Sequence, residues 1–99
     1  MRRPSLVGRV APSGAERAVE RFSAHGLNLI VSLPGTQVLP VWEAAERTEG
    51  IRLVVPRSER SAGFIAEGYG LSSGRPAILC DTLGPGVANE LVAVASAAR

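Results

Sequence analysis

The chain has 99 residues, enough for one small domain. Hydrophobic residues make up 45% of it and charged residues 20%, which is typical of a folded globular domain and argues against a disordered chain. The formal net charge is +2, and all 11 basic residues are arginines scattered along the sequence. Because nucleic-acid binding requires a concentrated basic patch, this distribution argues against a nucleic-acid partner.

The counts of cysteine and histidine exclude several kinds of site. Cys80 is the only cysteine and His25 the only histidine, which rules out an internal disulfide, a multi-cysteine metal site and a site with paired histidines. No apolar run approaches the ~20 residues of a membrane span, so we expect no membrane partner. Residues 1–13 lack the apolar segment of a secretion signal and are predicted to form a flexible N-terminal arm, with a weak transit-like peptide as the alternative interpretation. The default expectation is a cytoplasmic protein.

Helix and strand signals alternate along the rest of the chain. Apolar residues at helical spacing predict four helices, at 13–26, 37–48, 58–74 and 84–99. Continuous apolar runs bounded by turn residues predict three strands, at 27–33, 51–56 and 76–82. Ser13 and Glu16 have the spacing of a capping box at the start of the first helix, and Gly26 is placed to end it.

This order of elements predicts the fold class. A helix followed by three strand–helix units implies βαβ crossovers and a parallel sheet with helices on both faces. The strand segments are rich in Val, Leu and Ile, as strands buried on both faces require. We therefore predict an α/β fold with three α/β/α layers. Three strands make a thin sheet, so we expect residues 14–99 to be the first half of a larger doubly wound domain with an open strand edge.

The turns that follow the strands contain the candidate ligand-binding residues. In open parallel sheets, ligands bind at the carboxyl ends of the strands. The three such turns are residues 33–37 (LPGTQ), 56–60 (PRSER) and 82–89 (TLGPGVAN). Gly84 and Gly86 would let a ligand approach the backbone at a helix N-terminus, but a tight turn alone also accounts for them. Chain reversal similarly accounts for Pro34-Gly35.

Glu59 lies in the first turn of the predicted third helix. A carboxylate there is stabilised by the helix dipole by about 0.3–1 kcal/mol, which explains the residue without any chemical role. Arg57 and Arg60 could pair with it, but exposed ion pairs contribute little to stability. Considered alone, Glu59 is best interpreted as part of a helix start that happens to lie at the ligand-binding edge.

Four motifs occur in the order and approximate spacing of one known family: GAERAVERF, LPGTQVLPVWEA, GIRLVVPRSERSAGFIAEGYG and SGRPAILCDTLGPGVANEL. They resemble the N-terminal, pyrimidine-binding domain of thiamine-diphosphate-dependent enzymes of the acetolactate synthase and pyruvate oxidase type. The resemblance runs from about Gly14 to the end of the chain. Its most specific part is the Arg-x-Glu turn that leads into a helix containing Ala-Glu-Gly-Tyr. It implies the first half of a thiamine-diphosphate-binding fold.

The resemblance also implies roles for individual residues. Glu59 would hydrogen-bond N1′ of the cofactor's aminopyrimidine and so activate the cofactor for decarboxylation and carboligation of 2-keto acids. The protein would position the cofactor and manage protons, while thiamine diphosphate carries the chemistry. The residues implied to bind the cofactor are Pro34, Gly35, Glu59, Gly84, Pro85, Gly86 and Asn89.

The partners implied by the family complete this expectation. Family members bind the diphosphate and its magnesium through a separate domain with a Gly-Asp-Gly…Asn motif, whereas the only aspartate here, Asp81, has no glycine neighbour. Magnesium would therefore bind only through a diphosphate-binding domain of the same or another chain, in a dimer, and this chain alone would be inactive. Two other interpretations stay open, a non-catalytic or split-subunit module that docks through its sheet edge, and a truncated remnant.

Overall fold

The computed structural model describes residues 12–98 of the chain. The helices are α1 (Gly14–Ala24), α2 (Leu39–Glu46), α3 (Glu59–Ser73), α4 (Pro85–Ala88) and α5 (Leu91–Ala97). The strands are β1 (Leu29–Ser32), β2 (Arg52–Val54) and β3 (Ile78–Cys80). The arm predicted over residues 1–13 falls almost wholly outside the described residues, so its flexibility stays a prediction.

The three strands form one parallel sheet in the order β2-β1-β3. All four residues of the central strand β1 are buried, while the outer strands are only partly covered. Helix α1 packs against α2, and α3 packs against α5. The predicted parallel sheet and α/β architecture are confirmed.

The side chains of β1 show how the helices divide between the two faces of the sheet. Leu29 and Val31 pack against Ala62 of α3. Ser32 accepts a hydrogen bond from the indole Nε1 of Trp42 in α2, at 2.8 Å. Because successive side chains of a strand point to opposite faces, α3 and α2 cover opposite faces of the sheet. The result is the predicted arrangement of helix, sheet and helix layers.

Local side-chain chemistry fixes the start of two helices. Ser13 Oγ accepts the Glu16 N–H at 3.2 Å, and the Glu16 carboxylate accepts the Ser13 N–H at 2.8 Å, which confirms the predicted capping box. Ser58 Oγ accepts the Ser61 N–H at 3.1 Å and caps α3. A cap of this kind contributes about 1 kcal/mol to stability. The cap on α3 matters for the site, because it fixes the residue that follows Ser58.

The continuous helix predicted over residues 84–99 is wrong in one respect, because it is divided into α4 and α5. The N–H of Glu90 donates to the carbonyl of Val87, three residues earlier, at 3.0 Å. This tighter turn interrupts the α-helical pattern between Ala88 and Leu91. The break lets α5 pack against α3, where Ala93 lies over Gly63.

Candidate functional site

The turns after the three strands all leave the same edge of the sheet, because the strands are parallel. The turn after β1 leads to α2 on one face, and the turn after β3 leads to α4 and α5 on the other face. The chain thus diverges in opposite directions from two neighbouring strands. A crevice at such a point is the usual ligand-binding place of an open parallel sheet.

Two glycines allow these turns to approach one another closely. A Cβ atom added at Gly35 would lie 2.4 Å from Cγ2 of Thr82, so the turn after β1 packs directly on the turn after β3. A Cβ atom added at Gly86 would lie 3.1 Å from Oγ1 of Thr82 and 3.6 Å from Oε2 of Glu59. Residues from all three predicted turns therefore meet at one place.

Glu59 is the first residue of α3 and is half-buried. Among residues 12–98, its carboxylate has no hydrogen-bond or ion-pair partner, and the exposed Arg57 and Arg60 do not pair with it. The free N–H groups of the first helical turn stabilise a negative charge at this position. The helix start thus fixes the backbone of Glu59, and no described residue bonds its carboxylate.

Asp81 is a second acidic residue at the same edge. Its Oδ1 accepts the backbone N–H of Leu33 at 2.7 Å, and its Oδ2 is buried without a hydrogen-bond partner among the described residues. Burial raises the pKa of Asp81 above its ordinary value of 3.8, the Leu33 N–H opposes the rise, and the Glu59 charge adds to it. Burial, with the Asp81 charge, also raises the pKa of the Cys80 thiol above 9.0.

Ser32 links the ends of two strands just beneath these turns. Its buried hydroxyl accepts from Nε1 of Trp42 at 2.8 Å and donates to the carbonyl of Cys80. Neither Ser32 nor Asp81 was predicted from the sequence to belong to the site. The signal that was available is a polar residue at or just after the carboxyl end of an apolar strand, where ligands bind in parallel sheets.

The remaining predicted residues lie around the same turns. Gly84 has φ 79° and ψ −125°, a conformation that glycine alone adopts readily, and Pro85 follows it as the first residue of α4. Both residues and Pro34 are exposed. Asn89 is exposed at the C-terminal end of α4. The buried Glu90 follows it and directly precedes α5.

The carboxyl groups at this edge are of the kind that bonds a nitrogen heterocycle such as an aminopyrimidine. Among residues 12–98, the Glu59 carboxylate and the buried Oδ2 of Asp81 have no hydrogen-bond partner. Gly86 leaves open the space in which any Cβ atom would contact Oε2 of Glu59. Carboxyl groups can bond both the ring nitrogens and the amino group of such a ring, as acceptors or, when protonated, as donors.

Within residues 12–98, no three His, Cys, Asp or Glu side chains lie close enough together to hold a metal ion. Over the same range, no helix is both long enough and apolar enough to cross a membrane.

An apolar groove of about 550 Å³ lies away from the crevice, between α3 and α5 beside the outer strand β3. Leu71, Leu79 and Val94 are among its lining residues, and the side chain of Leu71 is 82% exposed. Large apolar side chains clustered at an exposed groove are typical of a protein–protein interaction surface.

Comparison with known proteins gives the chain a family. The sequence pattern described as "Thiamine pyrophosphate enzyme, N-terminal TPP binding domain" matches residues 12–99. Acetolactate synthase isozyme 1 large subunit of Escherichia coli (strain K12) is 36% identical over 85 residues, which cover 86% of this chain and 15% of that protein.

Two eukaryotic relatives show the same pattern of coverage. Chloroplastic acetolactate synthase of Arabidopsis thaliana is 36% identical over 97 residues, covering 94% of this chain and 14% of that protein. The mitochondrial catalytic subunit of acetolactate synthase from Saccharomyces cerevisiae is 33% identical over 88 residues, covering 89% of this chain and 13% of that protein. The chain thus spans a small part of its relatives' length, and their different compartments leave its cytoplasmic location a prediction.

Proposed function

The chain belongs to the family of thiamine pyrophosphate (thiamine diphosphate) enzymes, and we propose that it forms the pyrimidine-binding part of such an enzyme. The proposed reaction class is decarboxylation and carboligation of 2-keto acids, on the similarity to acetolactate synthases. The observation that carries the proposal is the Glu59 carboxylate, which has no partner among residues 12–98. Its Oε2 lies 3.6 Å from where a Cβ atom added to Gly86 would be.

Each residue of the crevice has a proposed task toward the cofactor. Glu59 would hold N1′ of the aminopyrimidine by a hydrogen bond, and its carboxyl oxygen would serve as the general acid and base there. Gly35 and Gly86 admit the ring close to the backbone. Pro34, Gly84 and Pro85 fix the two turns, and Asn89 offers an amide at the rim. The bound cofactor supplies the electron sink that decarboxylation of a 2-keto acid requires.

We propose that a diphosphate-binding domain, on the same or another chain, completes the site and binds Mg²⁺ within a dimer. The support is that the chain covers 13–15% of relatives that carry the enzyme name. The apolar groove beside β3 is a surface that further polypeptide would cover. The chain alone is then inactive, because it holds only the pyrimidine end of the cofactor site.

The test is an assay of pyruvate consumption with thiamine diphosphate and Mg²⁺. The isolated chain should show no turnover, while a chimera in which it replaces the matching segment of the Escherichia coli relative should be active. In that chimera, Glu59→Gln should remove most of the activity. Glu46→Gln, an exposed glutamate of α2, is the matched control and should have no effect.

Two outcomes would contradict this proposal. Robust turnover by the isolated chain would show that no second domain is needed. Full activity of Glu59→Gln in an active chimera would exclude the assigned role of Glu59.

The second candidate function is a non-catalytic or split-subunit interaction module. The groove between α3 and α5 favours it, because docking there would cover both the apolar side chains and the open edge of β3. A chain that stays monomeric with strongly protected amides in β3 would contradict docking. A truncated remnant would instead show no protected core at all by hydrogen exchange.

A further inference from the structure

We propose that Asp81 is a positioning residue of the pyrimidine site, which ties the turn after β1 to the turn after β3 and holds a proton at Oδ2 beside Glu59. The inference rests on the proposed function, because it assigns Asp81 a task toward the same cofactor. It adds a residue that the resemblance to the family did not include in the site.

The register of the sheet explains how Asp81 links the two turns. Ser32 of β1 pairs with Cys80 of β3, so the next residues, Leu33 and Asp81, lie side by side where the strands end. There the bond from the Leu33 N–H to Oδ1 of Asp81, at 2.7 Å, continues the link between the two strands. Leu33 directly precedes Pro34-Gly35, so this bond sets where the turn begins.

The surroundings of Oδ2, the second carboxyl oxygen of Asp81, explain why this oxygen holds a proton. A buried carboxylate oxygen without a donor is costly, whereas a protonated carboxyl can itself donate a hydrogen bond. The charged group that acts on Asp81 is Glu59 from α3, while Asp81 in turn acts on the Cys80 thiol of β3. Burial and the Glu59 charge both favour the protonated form of Asp81. A proton on Asp81 reduces the negative charge that the crevice presents to an uncharged ring.

The proton can be observed directly, because Asp81 is the only aspartate of the chain. The 99-residue chain labelled with ¹³C at the aspartate carboxyl carbon therefore gives a single signal to titrate. We expect an apparent pKa above the ordinary 3.8. Glu59→Gln should lower that pKa, whereas the control Glu46→Gln should leave it unchanged. A signal that titrates at the ordinary value, or ignores Glu59→Gln, overturns the proton-holding role.

The tie can be observed by hydrogen exchange at the Leu33 amide. Asp81→Ala removes the acceptor and should speed that exchange by about tenfold, the effect of losing one hydrogen bond. Asp81→Asn keeps an oxygen acceptor and should restore the protection, although it cannot titrate. Unchanged exchange at Leu33 in Asp81→Ala overturns the tie.

A third measurement distinguishes the role of Asp81 from the proposed function. It is the Kd of thiamine diphosphate for the holoenzyme, in which the chain is assembled with its diphosphate-binding partner. We expect Asp81→Asn to change the pH dependence of Kd. Binding by the wild type with an unchanged pH profile in Asp81→Asn overturns the inference and leaves the proposed function intact. Absence of binding by the wild type contradicts the proposed function, and the two ligand-free measurements then decide the tie and the proton by themselves.

Discussion

Gly35→Ala is expected to destabilise the chain by about 1–3 kcal/mol, the usual cost of overpacking a closely packed contact. The new Cβ would lie 2.4 Å from Cγ2 of Thr82, far inside the roughly 3.5–4.0 Å at which carbon atoms attract. The backbone of Gly35 does not have a positive φ, so alanine adds no backbone strain there. The whole cost should therefore come from the methyl group of Thr82.

Thr82→Ser removes that methyl group and keeps the hydroxyl. In this background Gly35→Ala should be neutral, or stabilising by about 0.4–1 kcal/mol, since alanine restricts the unfolded chain more than glycine does. The double-mutant cycle should then give a coupling energy of at least about 1 kcal/mol. The free energy of unfolding would be measured by urea denaturation, followed by far-UV circular dichroism.

Gly68→Ala provides the matched control. Gly68 lies within α3, and a Cβ added there would meet nothing within 4 Å. It should stabilise the chain by up to about 1 kcal/mol in either background, without coupling to Thr82→Ser. If Gly35→Ala costs the same in both backgrounds, or costs nothing, the two turns do not pack together as described.

Two further predictions concern the α3–α5 contact and Asp81. Gly63→Ala should lower the free energy of unfolding by about 1–3 kcal/mol, because its Cβ would lie 2.6 Å from that of Ala93. Gly70→Ala should not lower the free energy of unfolding, because the nearest atom to its Cβ would lie 3.6 Å away. Equal effects of the two substitutions in urea denaturation would refute the close contact between α3 and α5. The raised pKa of Asp81 means that the folded state binds its proton more tightly than the unfolded state. The stability that this proton contributes is thus complete below pH 3.8 and is lost as the pH rises through the folded-state pKa. As the pH rises, wild type should therefore lose stability relative to Asp81→Asn. A gain in relative stability would contradict this.

Features that depend on neighbours in the sequence could be predicted from the sequence. The capping box of Ser13 and Glu16 involves residues three apart, and both of its hydrogen bonds are present. The clustering of the three turns was also predictable, because parallel strands necessarily bring their carboxyl ends to one edge. Gly35, Glu59 and Gly86 were therefore placed together without knowledge of any distance.

Features that depend on register and packing could not be predicted in the same way. The bond between Leu33 and Asp81 joins residues 48 apart, and it exists only because Ser32 pairs with Cys80. The break between α4 and α5 is similar, since six of the ten residues 88–97 are good helix formers and do not mark it. The break depends on how α5 packs on α3, where Ala93 meets Gly63.

We propose that the Glu59 carboxyl contacts N1′ of the cofactor pyrimidine. The most direct test is the ¹⁵N resonance of thiamine diphosphate labelled at N1′ and bound to the assembled enzyme. We expect wild type and Glu46→Gln to shift this resonance away from its position in free cofactor, and Glu59→Gln to return it most of the way. The same N1′ resonance in wild type and in a Glu59→Gln variant that still binds the cofactor would contradict this contact.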